Sequence, residues 1–252
     1  MGELNDKVAI VTGSGQGVGR GIALALAAEG AAVAVAGRTE DKLVATCAEI
    51  EKRGGRAIPI VCDVGEREQI ESCVETTAAK LGAIDVLVNN AQAVPLGKLL
   101  HVPDEAFELG WRTGPMATLR FMRACHPHMR GRGGSIVNLA SGAGLRPDPV
   151  GLGLYAAIKE AIRSITRAAA CEWGKEAIRV NAIIPLASSP GMEGWTQAFP
   201  EEAAAFLATV PLGRVGDCEA DIGRAVASLV GPAFGYVTGT TLMLDGGQAY
   251  LR

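Results

Sequence analysis

The amino-acid sequence predicts an α/β protein built on a doubly wound parallel sheet, and three observations lead to this prediction. Short apolar runs alternate with longer amphipathic stretches along the 252 residues. The apolar runs are continuous, which is typical of strands buried on both faces. Hydrophobic residues make up 48% of the chain, enough for one sizeable core. Because crossovers between parallel strands are right-handed, this order predicts a Rossmann-like sheet of about seven strands flanked by helices on both faces.

The strands of this sheet are predicted at seven apolar runs. Each run is rich in Ala, Val, Ile or Leu and is followed by a turn or a helix. The runs are Val8–Val11, Ala32–Ala36, Ala57–Cys62, Val86–Val88, Ser135–Leu139, Arg179–Ile184 and Thr241–Leu244.

The longer segments between the runs are predicted helices. Glycines end the first two, at Gly30 and at Gly54, and Gly114-Pro115 disturbs the start of the fourth. No linker interrupts the pattern, so residues 1–252 are predicted to form a single domain. The predicted helices are Gly19–Glu29, Asp41–Arg53, Arg67–Leu81, Arg112–Met129, Tyr155–Trp173 and Glu219–Leu229.

Charge and composition exclude several classes of protein. Lys and Arg total 24 while Asp and Glu total 27, so the net charge is −3 and nucleic acid is not an expected partner. The longest apolar run is interrupted by Glu29 and Gly30, and the N-terminus has no signal-peptide pattern. The six cysteines are scattered, and His126 and His128 have no accompanying ligand cluster. We therefore expect a cytoplasmic protein with reduced thiols, no metal site and no membrane contact.

The segment between the first strand and the first helix is glycine-rich. It reads T-G-x-x-x-G-x-G from Thr12 rather than the strict G-x-G-x-x-G. Small residues there would let a pyrophosphate reach backbone N–H groups and the positive end of a helix. The candidate cofactor-binding residues of this turn are Gly13, Ser14, Gly15, Gln16, Gly17, Val18 and Gly19.

The residue after the second strand bears on the choice of dinucleotide. An acid at this point would bind a ribose 2′-hydroxyl, but the sequence has Arg38. A guanidinium suits a 2′-phosphate through its charge and paired donors, so NADP is the predicted cofactor and NAD the second choice. The alternative is a solvated Arg38 at a helix start, since Gln16 supplies no second positive charge.

Three residues are candidates for catalysis. Tyr155 and Lys159 lie four apart, on one face of a predicted helix. A nearby cation lowers the pKa of a phenol from its ordinary value of about 10, which suits proton exchange with a carbonyl or alcohol oxygen. Ser141 ends the fifth predicted strand on the ligand side and can hydrogen-bond the same oxygen. The Tyr–Lys spacing alone is common on helix surfaces.

Together these motifs resemble the short-chain dehydrogenase/reductase family, and most of all its 3-oxoacyl-carrier-protein-reductase-like members. The resemblance implies hydride transfer between a nicotinamide and a carbonyl carbon, and a homotetramer or homodimer. It also implies that Tyr155 is the acid/base, that Lys159 lowers its pKa and holds the nicotinamide ribose, and that Ser141 orients the substrate. Tyr155 and Lys159 thus also count as cofactor-binding, and the further cofactor positions are Asp63, Val64, Asn89, Pro185 and Ser188.

The sequence departs from the family pattern around the expected nicotinamide. Gly114 stands where the family carries an Asn that completes a proton relay, Gln92 replaces a glycine, and Leu186 replaces another. Three interpretations stay open: neutral drift with a water in place of the Asn amide, a pocket reshaped for an unusual substrate, or a weakened redox step.

Residues 188–213 are the predicted substrate-covering segment. Trp195, Phe199 and Phe206 favour an apolar lid, although Phe199, Ala203 and Phe206 also have the spacing of an ordinary amphipathic helix. The leading hypothesis is an NAD(P)-dependent oxidoreductase that interconverts a carbonyl and a secondary alcohol on an apolar substrate: a 3-oxoacyl group, or a steroid-like or other ring ketone. The alternative is a dinucleotide-binding partner or sensor with weakened or lost redox activity, and a lyase or epimerase is more remote.

Overall fold

The computed structural model describes residues 2–146 and 151–249. At its centre is one seven-stranded sheet in the order β3-β2-β1-β4-β5-β6-β7, in which every neighbouring pair is parallel. The predicted Rossmann-like fold class is therefore confirmed. The strands are β1 Val8–Thr12, β2 Ala32–Gly37, β3 Arg56–Val61, β4 Val86–Asn89, β5 Gly134–Leu139, β6 Ile178–Pro185 and β7 Thr241–Leu244.

Helices cover both faces of this sheet, because successive strand residues point to opposite sides. Val11 on β1 packs into the core formed with α1, α2 and α9. Ile10, its neighbour, packs into the core formed with α3, α5 and α6. The helices are α1 Gly17–Ala28, α2 Glu40–Lys52, α3 Arg67–Leu81, α4 Asp104–Trp111, α5 Ala117–Met129, α6 Gly153–Trp173, α7 Pro190–Ala198, α8 Pro200–Leu207 and α9 Arg224–Val230.

The chain between α4 and α5 differs from the predicted helix over residues 112–129. A π-helical turn, Arg112–Met116, joins the two helices and contains Pro115. Proline has no N–H to donate and its ring crowds the preceding turn, so the backbone widens there. The helix α4 before this turn was not predicted, and a second π-helical turn, Cys218–Gly223, occupies the first half of the helix predicted at 219–229.

The strand order reverses between β1 and its two neighbours, β2 and β4. The chain leaves β1 and β4 toward opposite faces of the sheet, which opens a crevice at the carboxyl ends of these strands. This topological switch point is where the candidate site lies. Within the described ranges, no helix is long and apolar enough to cross a membrane.

Candidate active site

A cleft of about 570 Å³ lies at the carboxyl ends of the strands. It brings together segments that are far apart in the sequence: the glycine-rich turn, the ends of β2 and β3, the loop after β4, and the start of α6. Its walls include the following residues of the predicted site: Gly13, Gly15, Gln16, Gly17, Val18, Arg38, Asp63, Val64, Ser141, Tyr155, Lys159 and Pro185.

The glycine-rich turn leaves backbone N–H groups free at the start of α1. Gly13 and Gly17 have φ angles of 66° and 55°, a conformation that glycine adopts without strain. Gln16 occupies the N-cap position of α1, but its side chain does not cap the helix. The first N–H groups of a helix have no partner within the helix, so this turn suits a pyrophosphate.

Asn90 ties this turn to the loop after β4. The Asn90 side-chain amide donates to the carbonyl oxygens of Thr12 and Gly13, over 2.8 and 3.2 Å. The Thr12 hydroxyl in turn accepts from the backbone N–H groups of Asn90 and Ala91, each at 3.0 Å. A Cβ atom at Gly19 would lie 2.5 Å from the Asn90 amide nitrogen, so only glycine permits this close approach. These bonds hold both sides of the switch point together.

Two cations, Arg38 and Lys42, line the cleft at the end of β2. The Lys42 ammonium donates to the Gln16 side chain across the turn. Lys42 was not predicted from the sequence, and helical spacing could not have indicated the pair, because α2 begins at Glu40 and Arg38 precedes it. Lys42 places a second positive charge in this part of the cleft wall.

Four of the predicted cofactor contacts are engaged elsewhere, outside the cleft wall formed by the described residues. The Ser14 hydroxyl is buried and donates to the Val11 carbonyl at 2.6 Å. The Asn89 amide donates to Asn138 at 2.8 Å and so links β4 to β5, while its neighbour Asn90 faces the cleft. Ser188 is exposed and bonds Glu193 at 2.9 Å, and Gly19 makes room for Asn90.

The reacting end of the cleft is formed by β5 and α6. Lys159 is buried, and its ammonium donates to the Leu139 carbonyl at 2.7 Å and lies 5.6 Å from the centre of the Tyr155 ring. Ser141 follows β5, lies close enough to the Tyr155 phenol to lower its pKa, and accepts from the N–H of Ala143 at 3.2 Å. The structure therefore places all three predicted catalytic residues in one cluster.

Burial shifts the pKa values of this cluster. Removal from water lowers the pKa of the Lys159 amine to about 7. Burial also raises the pKa of the Tyr155 phenol, and the hydrogen bond with Ser141 opposes that rise only in part. The direction is opposite to the lowered Tyr155 pKa that we expected from the sequence. The reason is that desolvation of the phenolate outweighs the hydrogen bond from Ser141.

The predicted substrate-covering segment contains two short helices beside the cleft, α7 and α8. Ser189 caps α7 by accepting from the Met192 N–H at 3.3 Å, and Ser189, Pro190 and Gly191 line the cleft. The structure therefore places Ser189, rather than the predicted Ser188, in the cleft wall. Trp195 on α7 and Phe206 on α8 contact edge to face, with ring centres 5.7 Å apart, so the aromatic residues fasten the two helices together.

Comparisons with known proteins show which proteins this chain resembles. The sequence model of a family described as enoyl-(acyl carrier protein) reductase matches residues 13–249. A 12α-hydroxysteroid dehydrogenase of Clostridium sp. is 43% identical to the chain, over 98% of each sequence.

Two solved structures have the same fold. A 7α-hydroxysteroid dehydrogenase complexed with NADH and 7-oxo glycochenodeoxycholic acid has a TM-score of 0.92 and 29% identity, over 98% of this chain and 95% of that one. A short chain dehydrogenase from Burkholderia cenocepacia J2315 in complex with NADP has a TM-score of 0.90 and 31% identity, over 98% and 99%. Because the sequence match spans nearly the whole chain and the fold agrees, the protein belongs to the short-chain dehydrogenase/reductase family and is an NAD(P)-dependent oxidoreductase that interconverts carbonyl and alcohol groups.

Proposed function

We propose that this oxidoreductase prefers NADP and acts on an apolar ring ketone, or the corresponding secondary alcohol, of steroid-like size. One observation carries the proposal: Ser141, Tyr155 and Lys159 meet in the same cleft as the glycine-rich turn. The turn that would bind the dinucleotide and the side chains that would exchange protons therefore line one continuous cleft.

The three clustered side chains have distinct roles in the proposal. Tyr155 donates its phenolic proton to the carbonyl oxygen during reduction, and accepts a proton in the reverse direction. Ser141, which lies beside the Tyr155 phenol, holds the same substrate oxygen in place. Lys159 binds the nicotinamide ribose and, when protonated, stabilises the phenolate form of Tyr155. The nicotinamide cofactor supplies or takes up the hydride when bound.

The choice of NADP rests on the charge at the end of β2. Arg38 and Lys42 are two cations in one stretch of the cleft wall, where a 2′-phosphate would need neutralising. Asp63, at the end of β3, accepts from the N–H of Gly65 at 2.9 Å, so its carboxylate is already engaged. Asp63 and Val64 border the adenine in this proposal.

The substrate class rests on the segment beside the cleft and on the relatives. The segment 188–213 presents few charged groups to the cleft, and its Pro190 and Gly191 form part of the wall. The Clostridium relative acts on a hydroxysteroid, according to its name, and the 7α-hydroxysteroid dehydrogenase was solved with an oxo bile acid. A steroid-like ring ketone is therefore favoured over a 3-oxoacyl thioester.

We also infer how the chain is organised and where it works. Residues 1–252 form one catalytic domain, with 188–213 as its substrate-covering segment, and the protein assembles as a homotetramer or homodimer. Its six cysteines are free within the part of the chain that the structure describes, which favours the reducing cytoplasm.

A substrate panel tests the proposed function. Oxo and hydroxy steroids, smaller ring ketones and 3-oxoacyl thioesters are offered with NADPH, NADH and their oxidised forms, and cofactor absorbance is followed. We expect turnover with at least one ring ketone, and a fall in kcat of at least about 100-fold in Tyr155→Phe. Tyr236→Phe is the matched control, because Tyr236 is fully exposed.

The panel also separates the alternative functions. Tight NADPH binding without turnover of any substrate would favour a sensor or partner protein. Net conversion of substrate without a change in cofactor would favour a lyase or epimerase. Equal activity of Tyr155→Phe and the native protein would contradict the proposed proton donor.

A further inference from the structure

The side chain of Gln92 carries buried polar atoms that nothing in the described structure satisfies. Gln92 follows β4 and belongs to the wall of the cleft. Its Oε1 and Nε2 atoms are both inaccessible to water, and neither has a hydrogen-bond partner among the described residues. Buried carboxamides are rarely left in this state, because the lost bonds to water must be replaced. An unpartnered amide beside a reacting centre therefore points to a functional contact.

Gly114 explains how the Gln92 side chain fits. A Cβ atom at position 114 would lie 3.1 Å from both Cδ and Nε2 of Gln92, and 2.9 Å from the Ile158 side chain. The carboxamide of Gln92 thus fills the volume that any side chain at position 114 would need. Gly114 lies in the π-helical turn before α5, so the two residues approach from different segments of the chain.

The volume filled by the Gln92 carboxamide also borders α6, at the residue that precedes Lys159. Ile158, which contacts it, precedes Lys159 in the chain, and Gln92 and Lys159 line the same cleft. The Lys159 ammonium has three donors, of which one is used by the Leu139 carbonyl. The other donors have no acceptor among the residues that the structure describes. The same cleft wall therefore contains a buried amine with spare donors and a buried amide without partners.

The proposed chemistry requires a route for protons at this point. Each carbonyl reduction moves one proton from Tyr155 to the product alcohol, and one proton from solvent must then return to Tyr155. Because Lys159 is buried, polar groups must connect it to water. Ser141, Tyr155 and Gln92 all contribute polar side-chain groups to the cleft wall. Among the described residues of that wall, only Gln92 has buried side-chain polar atoms without a hydrogen-bond partner.

We propose that Gln92 is a positioning residue whose carboxamide turns from Gly114 toward Lys159 and holds a water molecule against the Lys159 ammonium. The water links Lys159 to solvent, so one proton enters for each proton that Tyr155 gives to the substrate. Gly114 provides the space in which the side chain turns. This inference rests on the proposed function for its link to catalysis, but not for the hydrogen bonding of Lys159.

Gln92→Met tests the amide, because methionine has nearly the same length and no strong hydrogen-bonding group. We expect kcat to fall about ten-fold, the loss of one hydrogen bond to a charged group, with the KM for ketone and NADPH changed less than about two-fold. The pH profile of kcat should shift as well, because Lys159 becomes harder to protonate. The melting temperature of the free protein should stay equal or rise, since an unsatisfied amide has been replaced by an apolar group.

Two further variants test the role of the Gln92 amide without relying on Gln92→Met alone. Gly114→Ala should displace the Gln92 amide and reproduce the loss of kcat in Gln92→Met. The exchange Gln92→Gly with Gly114→Asn returns a carboxamide to the same volume from the other segment, and should recover most of the native kcat. Native kcat and an unchanged pH profile in Gln92→Met, together with a lower melting temperature, would show that Gln92 only fills space.

A binding measurement separates this inference from the proposed function. NADPH fluorescence is titrated against pH without substrate in the native protein and in Gln92→Met. We expect the pH at which affinity changes near neutrality to fall in the variant, because Lys159 loses the polar partner that favours its charged form. Identical pH dependence in the two proteins would overturn the role of Gln92, even if no substrate were found. A shifted dependence without turnover on any ketone would contradict the proposed function alone.

Discussion

The two ends of the cleft differ in how completely their polar groups are paired. We call the part of the cleft formed by the glycine-rich turn and the ends of β2 and β3 the adenosine end. There, Thr12 and Asn90 bond each other, Lys42 bonds Gln16, and Asp63 accepts from Gly65. At the reacting end, the Gln92 amide has no partner among the described residues and Lys159 is a buried amine with one acceptor. The named side chains at the adenosine end are thus paired before any ligand is bound, while the reacting end keeps side-chain donors and acceptors available. Binding depends on the first property, and proton transfer on the second.

The largest expected effect is a loss of NADPH affinity when the glycine-rich turn is disrupted by substitution at Gly19. In Gly19→Ala the new methyl group would collide with the Asn90 amide and the Gly13 carbonyl, each at 2.5 Å, so the turn and α1 must separate. We expect NADPH affinity to fall about 100-fold, as the N–H groups lose their alignment for the pyrophosphate. The dissociation constant is measured by NADPH fluorescence.

Gly174→Ala is the control for this substitution. Nothing lies within 4 Å of a Cβ at Gly174, and its φ of −57° is helical, so alanine should be neutral or slightly stabilising. Native NADPH affinity in Gly19→Ala would show that Asn90 does not brace the turn.

The second prediction concerns the two cations of the adenosine end. Replacing both Arg38 and Lys42 by alanine should weaken NADPH binding roughly ten- to 100-fold and leave NADH binding within about two-fold, because only NADPH carries the 2′-phosphate. Each single variant should show part of this loss. Lys52→Ala, on the exposed far end of α2, is the control. Equal losses for both cofactors would refute the NADP preference.

The third prediction uses the buried amine of the reacting end. The pKa of Lys159 is lowered from an ordinary value of 10.5 to about 7 in the folded chain. Between these values the unfolded chain holds a proton that the folded chain has released, so the contribution of Lys159 to the free energy of unfolding rises with pH across this window. Below about pH 7 its stability penalty is full, and above about pH 10 it is absent.

Lys159→Met should therefore be more stable than the native protein at pH 6, and this advantage should shrink steadily as the pH rises to 10. Chemical unfolding at several pH values measures the difference between the two proteins, which cancels the titration of their shared groups. Lys80→Met, at an exposed position on α3, should show no such trend. A constant difference across the range would mean that Lys159 keeps its ordinary pKa.

The smallest effect is expected at the two helices beside the cleft, α7 and α8. Trp195→Ala removes the edge-to-face contact with Phe206 and loosens α7, whose first residues line the cleft. We expect the KM for a ring ketone to rise a few-fold, in line with about 0.5–1.5 kcal/mol for one aromatic pair. Gln197→Ala, on the same helix and exposed, is the control. An unchanged KM for every ketone would show that α7 does not contribute to substrate binding.

Most of the sheet was predictable because its signals are local. Each strand contains a short apolar run, although β3, β5 and β6 also include polar residues such as Arg56, Asn138 and Arg179. Six of the observed helices overlap predicted ones. The helices α4 and α7 were not predicted, and neither were the π-helical turns. The first of these turns contains Pro115, and the second lies largely within the helix predicted at 219–229. The cluster of Ser141, Tyr155 and Lys159 followed from spacing, whereas Asn89 and Asn90, neighbours with the same side chain, could not be told apart.

The sequence by itself determined the fold class and the chemical groups available, because hydrophobic periodicity, glycine-rich turns and residue spacing are properties of short segments. Only the tertiary structure decided which groups meet: Lys42 with Gln16, Asn90 with Thr12, and Gln92 with Gly114. These pairs come from segments joined by the sheet order, not by the chain. Burial likewise depends on the whole fold, so the pKa values of Tyr155 and Lys159 were set by the surrounding core rather than by their four-residue spacing.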